Sequence, residues 1–247
     1  MRGLNGKTAI VTGGLGDLGY AGAVRLVEEG CRVALFDVKE DDGRAGDIGA
    51  LAYAVDLRDE TQIQEACADV QRQLGPASVL VNSAAAFVFR GVEAEAEEWE
   101  RILSVNVIGT SLVTKHVVPQ MEAHGGGSII NLSSVSGFVG QSNFATYNAT
   151  KFAIRGLTKC WAQDLAPKGI RVNSLCPGYI YTSAFVNSCK ALGLDEEEEN
   201  RRAAEMHLLN RQGRPEEVGA AIAFLASDDA SFMTGSDLLV DGGYLAK

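Results

Sequence analysis

The sequence predicts an open, doubly wound α/β sheet of parallel strands, on three observations. Short apolar runs of strand length alternate with longer helix-like runs along the chain. The first apolar run opens directly into a glycine-rich turn and then a helical pattern. The 247 residues show no composition shift, repeat or low-complexity linker, so one domain with a large core accounts for the length.

Taken in order, strands are expected over residues 7–12, 32–37, 51–55, 78–82, 128–132, 171–176 and 237–240. Helices are expected over 18–29, 61–74, 97–123, 144–166 and 215–225. Residues 192–210 stand outside this alternation. They carry Glu196-Glu197-Glu198-Glu199 and read as an acidic helical insertion, with its flanks about 183–212, that is either a solvated helix face or a mobile lid over a substrate.

Composition narrows the function classes. A formal charge of −10 argues against a nucleic-acid partner, because neutralising phosphates needs clustered Lys and Arg. The longest uninterrupted apolar run, 220–226, is too short for a bilayer span, and residues 1–3 lead into no signal-peptide core. A soluble, cytoplasmic protein without a membrane partner is expected. The cysteines Cys31, Cys67, Cys160, Cys176 and Cys189 are odd in number and scattered, which suits small core residues in a reducing compartment. His116, His124 and His207 lack the spacing and company of a metal site and read as surface or helix-end residues, so no metal is expected.

Two stretches carry chemistry. Thr12-Gly13-Gly14-Leu15-Gly16-Asp17-Leu18-Gly19 stands between the first strand and helix, where glycines let the backbone approach a pyrophosphate and the helix N-terminus attracts it. Asp37 ends the second strand, where a carboxylate bonds an adenosine ribose hydroxyl and repels a 2′-phosphate; this favours NAD over NADP. Further on, Tyr147 and Lys151 lie four residues apart, so a helix stacks a phenol and an ammonium on one face. At ~6 Å and an effective dielectric of ~20 the ammonium is worth about 2.8 kcal/mol toward ionising the phenol, which makes an acid–base catalyst. Ser134 follows an apolar strand and either caps the next turn or donates to a substrate oxygen.

In combination these motifs resemble the short-chain dehydrogenase/reductase family from Lys7 to Gly243. The resemblance implies a Rossmann fold with strand order 3-2-1-4-5-6-7 and a tetrad of Asn106, Ser134, Tyr147 and Lys151. Tyr147 would move the hydroxyl proton, Lys151 would lower its pKa and hold the nicotinamide ribose, Ser134 would orient the substrate oxygen, and Asn106 would complete a proton relay. The implied NAD contacts are Gly13, Gly14, Asp17, Leu18, Gly19, Asp37, Asp56, Leu57, Asn82, Ala84, Tyr147, Lys151, Pro177, Gly178, Ile180 and Thr182. Two positions depart from the family pattern. Asp17 replaces its second motif glycine and is expected to turn outward or bond a loop amide, with Gly16 supplying flexibility; Ala85 replaces a glycine.

The reading that follows is an NAD-dependent alcohol dehydrogenase or ketone reductase acting on a small polyol, sugar derivative or cyclic hydroxy compound. Its rivals are a 3-oxoacyl-thioester reductase and a non-catalytic NAD-binding regulator. Ser134, Ser136, Gln141, Asn143 and Tyr147 are the expected substrate contacts, with Ser142 nearby, and Phe87, Phe138, Phe144 and Phe185 the expected apolar surround. Family members usually pair through long helices, here 97–123 and 144–166, so a homotetramer is expected.

Overall fold

Strand β1 (Thr8–Thr12) is buried along its whole length, and its apolar residues divide between two layers. Val11 faces one core with Leu35, Val81 and Ile130, while Ile10 faces the other with Phe36, Leu80 and Ile129. A strand covered on both faces needs a continuous apolar run, which is why the parallel strands are legible without alternation. The structure, a computed structural model, describes the backbone of residues 1–247 and the side chains of all but 188, 191 and 192.

The elements follow as α1 (Asp17–Glu28), β2 (Arg32–Asp37), α2 (Arg44–Asp47), β3 (Leu51–Ala54), α3 (Glu60–Leu74) and β4 (Ala77–Asn82). Then come α4 (Ala96–Leu103), α5 (Thr110–Ala123), β5 (Gly127–Leu132), α6 (Ala145–Leu165) and β6 (Ile170–Pro177), and finally α7 (Ser183–Leu192), α8 (Glu196–Glu205), α9 (Pro215–Ala226) and β7 (Asp237–Val240). All seven strands form one parallel sheet in the order β3-β2-β1-β4-β5-β6-β7. The order reverses between β1 and β4, so the crevice beyond their carboxyl ends is where such sheets bind ligands. Helices α1 and α9 cover one face and α3, α5 and α6 the other.

One departure from the expected elements matters for function. The single helix expected over 97–123 is broken by a π-helical turn, Ser104–Gly109, between α4 and α5. Gly109 passes so close to Leu57 that a Cβ there would lie 2.8 Å from the Leu57 Cβ, and the wide turn buries Asn106. By length and composition residues 96–123 could also cross a membrane, although the longest uninterrupted apolar run is short; in this domain α5 packs on α3 and β4. The insertion is helical as expected, with the Asp195 side chain capping α8 through the Glu198 amide and the four glutamates at its positive end.

A buried polar ladder ties the sheet to its helices. Asn82 Nδ2 donates to Asn131 Oδ1 at 2.8 Å and to Thr114 Oγ1 at 3.2 Å, and Asn131 Nδ2 donates to Thr158 Oγ1 at 2.9 Å. This fixes the ends of β4 and β5 against α5 and α6, and with them the positions of the residues that follow each strand.

Candidate active site

The glycine turn is shaped by packing that excludes side chains. Gly13 has φ 61°, and a Cβ on it would lie 2.7 Å from the Ala84 Cα. Thr12 Oγ1 holds that neighbour by accepting the Ser83 and Ala84 amides, each at 3.1 Å. A Cβ on Gly14 would lie 2.7 Å from the Leu35 Cβ, and one on Gly19 would strike the Gly13 carbonyl. Gly16, given the flexible role from sequence, instead has an ordinary extended conformation and caps α1 without a side chain. The first amides of α1, at Leu18 and Gly19, therefore keep the anion-attracting character of a helix start.

Three carboxylates surround this turn. Asp17, expected to turn outward or bond a loop amide, bonds an amide: its Oδ2 accepts both the amide and the hydroxyl of Ser183, each at 2.7 Å, at the start of α7. Asp37 accepts the Leu15 amide at 3.1 Å and the Lys39 amide at 3.1 Å, which fastens the glycine turn to the end of β2. Asp56 is paired with the Arg58 guanidinium, which holds its carboxyl below the usual range. Leu57 is buried against Gly109. The uncapped helix start, the tight glycine packing and Asp37 together fit the pyrophosphate and ribose of NAD. Asn82 sits differently, its amide committed to the ladder inside the sheet.

Beyond β5 and on α6 the expected catalytic groups converge. Ser134 stands near enough to the Tyr147 phenol to pull its pKa down, and its Oγ accepts the Ser136 amide at 3.1 Å. Lys151 Nζ lies 5.3 Å from the centre of the Tyr147 ring and donates to the Leu132 carbonyl at 2.9 Å. The expected lowering of the phenol's pKa by Lys151 does not hold in this structure. Burial pushes Tyr147 above its ordinary value, with the Ser134 hydrogen bond pulling the other way, and burial pushes Lys151 down to about 8. Desolvation opposes charge on both groups, and the ammonium lies over the ring with a proton committed to a carbonyl. Asn106 is equally committed: Oδ1 accepts the Ala86 amide at 2.7 Å, and Nδ2 donates to the Ala86 carbonyl and to Thr150 Oγ1, each at 3.1 Å. The asparagine thus joins the loop after β4 to α6.

The loop after β6 closes the crevice from the other side. Pro177 ends the strand, and Gly178 donates to the Val240 carbonyl at 3.0 Å. A Cβ on Gly178 would lie 2.7 Å from His207 Nε2. His207, expected at the surface or a helix end, stands at the end of α8 but is buried: its Nδ1 bonds the Ala203 carbonyl at 2.7 Å and its Nε2 accepts the Tyr179 amide at 3.2 Å. Gly213 exchanges backbone bonds of 2.9 Å with Tyr179 and Tyr181, so the Ile180 amide between them turns to the opposite side. Thr182 caps α7 through the Phe185 amide. A cavity of about 240 Å³ lies behind this loop, lined by Ile180, His207 and Asp241.

On the substrate side the polar residues are largely self-satisfied. Ser136 Oγ donates to Gln141 Oε1 at 2.6 Å, and Gln141 Nε2 donates to the Tyr179 hydroxyl at 3.3 Å. Asn143 is exposed at φ 61°, a turn conformation that asparagine tolerates. Phe87 and Phe144 flank Tyr147, joined by Phe89, which the sequence reading missed. Phe138 instead lies beneath the Arg155 guanidinium, 3.5 Å from ring centre to charge, and Phe185 packs on Tyr181 at 5.7 Å. Of the cysteines, Cys160 is exposed rather than in the core; the other four are buried and all are free thiols.

Fold and site together define an NAD-dependent oxidoreductase acting on CH–OH groups. Residues 15–245 match the family model described as Enoyl-(Acyl carrier protein) reductase. The chain is 38% identical to cis-4-hydroxycyclohexanecarboxylate dehydrogenase of Sinomonas cyclohexanicum, over 97% of each chain. It is 35% identical to 3-oxoacyl-[acyl-carrier-protein] reductase FabG of Thermotoga maritima, covering 97% of this chain and 98% of that one. Among solved structures, the ligand-free aldohexose dehydrogenase of Thermoplasma acidophilum superposes with a TM-score of 0.93 at 33% identity, covering 99% of this chain and 96% of that one. The chain belongs to the short-chain dehydrogenase/reductase family.

Proposed function

We propose that the protein transfers hydride between NAD and a secondary alcohol of cyclic-hydroxy or sugar-derivative type, with Tyr147 as acid and base. The observation that carries this is the convergence of Ser134, Tyr147 and Lys151 beyond β5, with Ser134 near enough to the phenol to pull its pKa down and the ammonium 5.3 Å from the ring centre. The chemistry a bound NAD supplies is acceptance of the hydride by which the alcohol becomes a ketone. Tyr147 takes the hydroxyl proton, Ser134 orients the substrate oxygen, and Lys151 holds the proton path beside the Leu132 carbonyl. Asn106 positions α6 through Thr150 and extends the relay. Gly13, Gly14, Leu18 and Gly19 receive the pyrophosphate; Asp37 receives the ribose; Asp56, Leu57 and Ala84 border the adenine side; Pro177, Gly178, Ile180 and Thr182 frame the nicotinamide.

Residues 183–212 serve as the lid, hinged where Asp17 meets Ser183. Two similarities bear on the substrate. The relatives acting on hydroxycyclohexanecarboxylate and aldohexose favour ring-shaped alcohols, whereas a carrier-protein substrate would meet four glutamates at the start of α8. Self-association as a homotetramer is supported by Phe152, 46% exposed, beside Gly156 on the outer face of α6. The free thiols suit the cytoplasm.

Titration with NADH and with NADPH, read by nicotinamide fluorescence, tests the cofactor assignment. Micromolar NADH affinity with much weaker NADPH affinity is expected, and the reverse order would defeat the role given to Asp37.

A further inference from the structure

The loop after β4 leaves two phenylalanines in the open. Phe87 and Phe89 are 53% and 44% exposed, yet both rings point at the reacting phenol. Phe87 stacks on Tyr147 with centroids 5.7 Å apart and planes 22° apart, Phe89 meets it edge-on at 5.4 Å, and Phe144 lies 4.5 Å from Phe89. Their backbone is held at both ends. Asn106 grips Ala86, while the Arg90 amide donates to Thr146 Oγ1 at 3.1 Å and the Thr146 amide to the Arg90 carbonyl at 3.3 Å. Exposed aromatic surface on a fixed loop around a catalytic group is a binding wall for something apolar and flat-sided.

The polar groups nearby do not suit a polyol. Ser136, Gln141 and the Tyr179 hydroxyl are already chained to one another, so an open chain of hydroxyls would compete with those bonds for partners. Nor do they suit an anion. The arginines on the elements that carry the phenylalanines and the phenol are taken, Arg90 by Glu98 at 2.6 Å and Arg155 by Asp237 at 2.9 Å.

We propose that the substrate is an uncharged secondary alcohol whose carbinol carbon belongs to or adjoins a six-membered hydrocarbon ring, gripped by Phe87 and Phe89. Ring carboxylates and open polyols are discriminated against. This rests on the reading of Tyr147 as the acid–base group. It separates the chain's specificity from that of the hydroxycyclohexanecarboxylate dehydrogenase it resembles, since that substrate needs a free cation.

The test is kcat/KM with NAD for cyclohexanol, 1-phenylethanol, propan-2-ol, sorbitol and cis-4-hydroxycyclohexanecarboxylate, in the wild type and in Phe87→Ala and Phe89→Leu. Ring alcohols should exceed sorbitol and the carboxylate by about tenfold or more, and Phe87→Ala should lower the ratio of cyclohexanol to propan-2-ol efficiency by about tenfold. Preference for the carboxylate or the polyol overturns the specificity and leaves the dehydrogenase standing; so does an equal loss on every alcohol, which would assign the phenylalanines to the lid or the fold. No turnover of any alcohol, or of cyclohexanone and acetophenone with NADH, by folded protein that binds NADH removes the acid–base reading itself and the ring preference with it.

Discussion

The turn after β1 and the loop after β6 face the same crevice but are built by opposite means. The first is built by exclusion: Gly13, Gly14 and Gly19 lie within seven residues and are small because Ala84, Leu35 and the Gly13 carbonyl leave no room for side chains. The second is held from a distance, by His207, Gly213, Val240 and Asp17. A turn whose close packing demands a cluster of glycines is readable in the sequence even though the packing partners are remote. A loop specified by remote partners can be moved by whatever moves those partners.

Removing what both regions serve should have the largest effect. Tyr147→Phe should lower kcat by about 10²–10⁴-fold with NADH affinity nearly unchanged; a matching loss of NADH affinity would show a structural role instead. Within the glycine turn, Gly13→Ala must adopt φ 61° and displace Ala84. It should cost about 2–3 kcal/mol in urea unfolding and weaken NADH binding, whereas Gly16→Ala should cost about 1 kcal/mol or less. Equal costs would undo the account by exclusion.

For the remote loop, His207→Leu should cost about 1–3 kcal/mol by leaving the Tyr179 amide buried without its acceptor, and should raise KM for NAD. A variant as stable and as active as the wild type would remove His207 from the loop's support. Between the two regions lies Lys151, whose pKa of about 8 is below its unfolded value of ~10.4. Between those values the unfolded chain binds more protons, so the wild type gains stability at this site as pH rises from about 8 to about 10.5. Lys151→Met should therefore be more stable than the wild type at pH 7, by on the order of 2 kcal/mol, with the gap closing toward pH 10.5; a constant gap would contradict the burial of the ammonium. The smallest effect belongs to Asp17→Gly, which should change NADH affinity less than about tenfold, or 1.4 kcal/mol, because the carboxylate already points at Ser183.

What the sequence made legible follows the same division. Strands β2 and β7 match their expected bounds, and the strand order matches the family resemblance, because both cores demand continuous apolar runs. Asn106, Ser134, Tyr147 and Lys151 stand in one neighbourhood because each is fixed to a strand end or to a helix packed on it. The π turn was hidden because its closest packing, Gly109 against Leu57, joins residues far apart in the chain. Nothing in the sequence around His207 announces a buried imidazole, since its partners come from Tyr179 and Ala203. Phe89 was recoverable: it stands two residues from Phe87, and in extended chain that spacing puts both rings on one side.

The contact between Asp17 and Ser183 has a thermodynamic consequence. One carboxylate belongs to the cofactor's turn and to the first residue of the helix that would close over the substrate. Any shift that NAD imposes on that carboxylate is felt at α7, and linkage makes the coupling reciprocal: the factor by which NAD changes alcohol affinity equals the factor by which the alcohol changes NAD affinity. Were α7 to move on the substrate, the residue that departs from the family's glycine would be the contact through which that coupling runs.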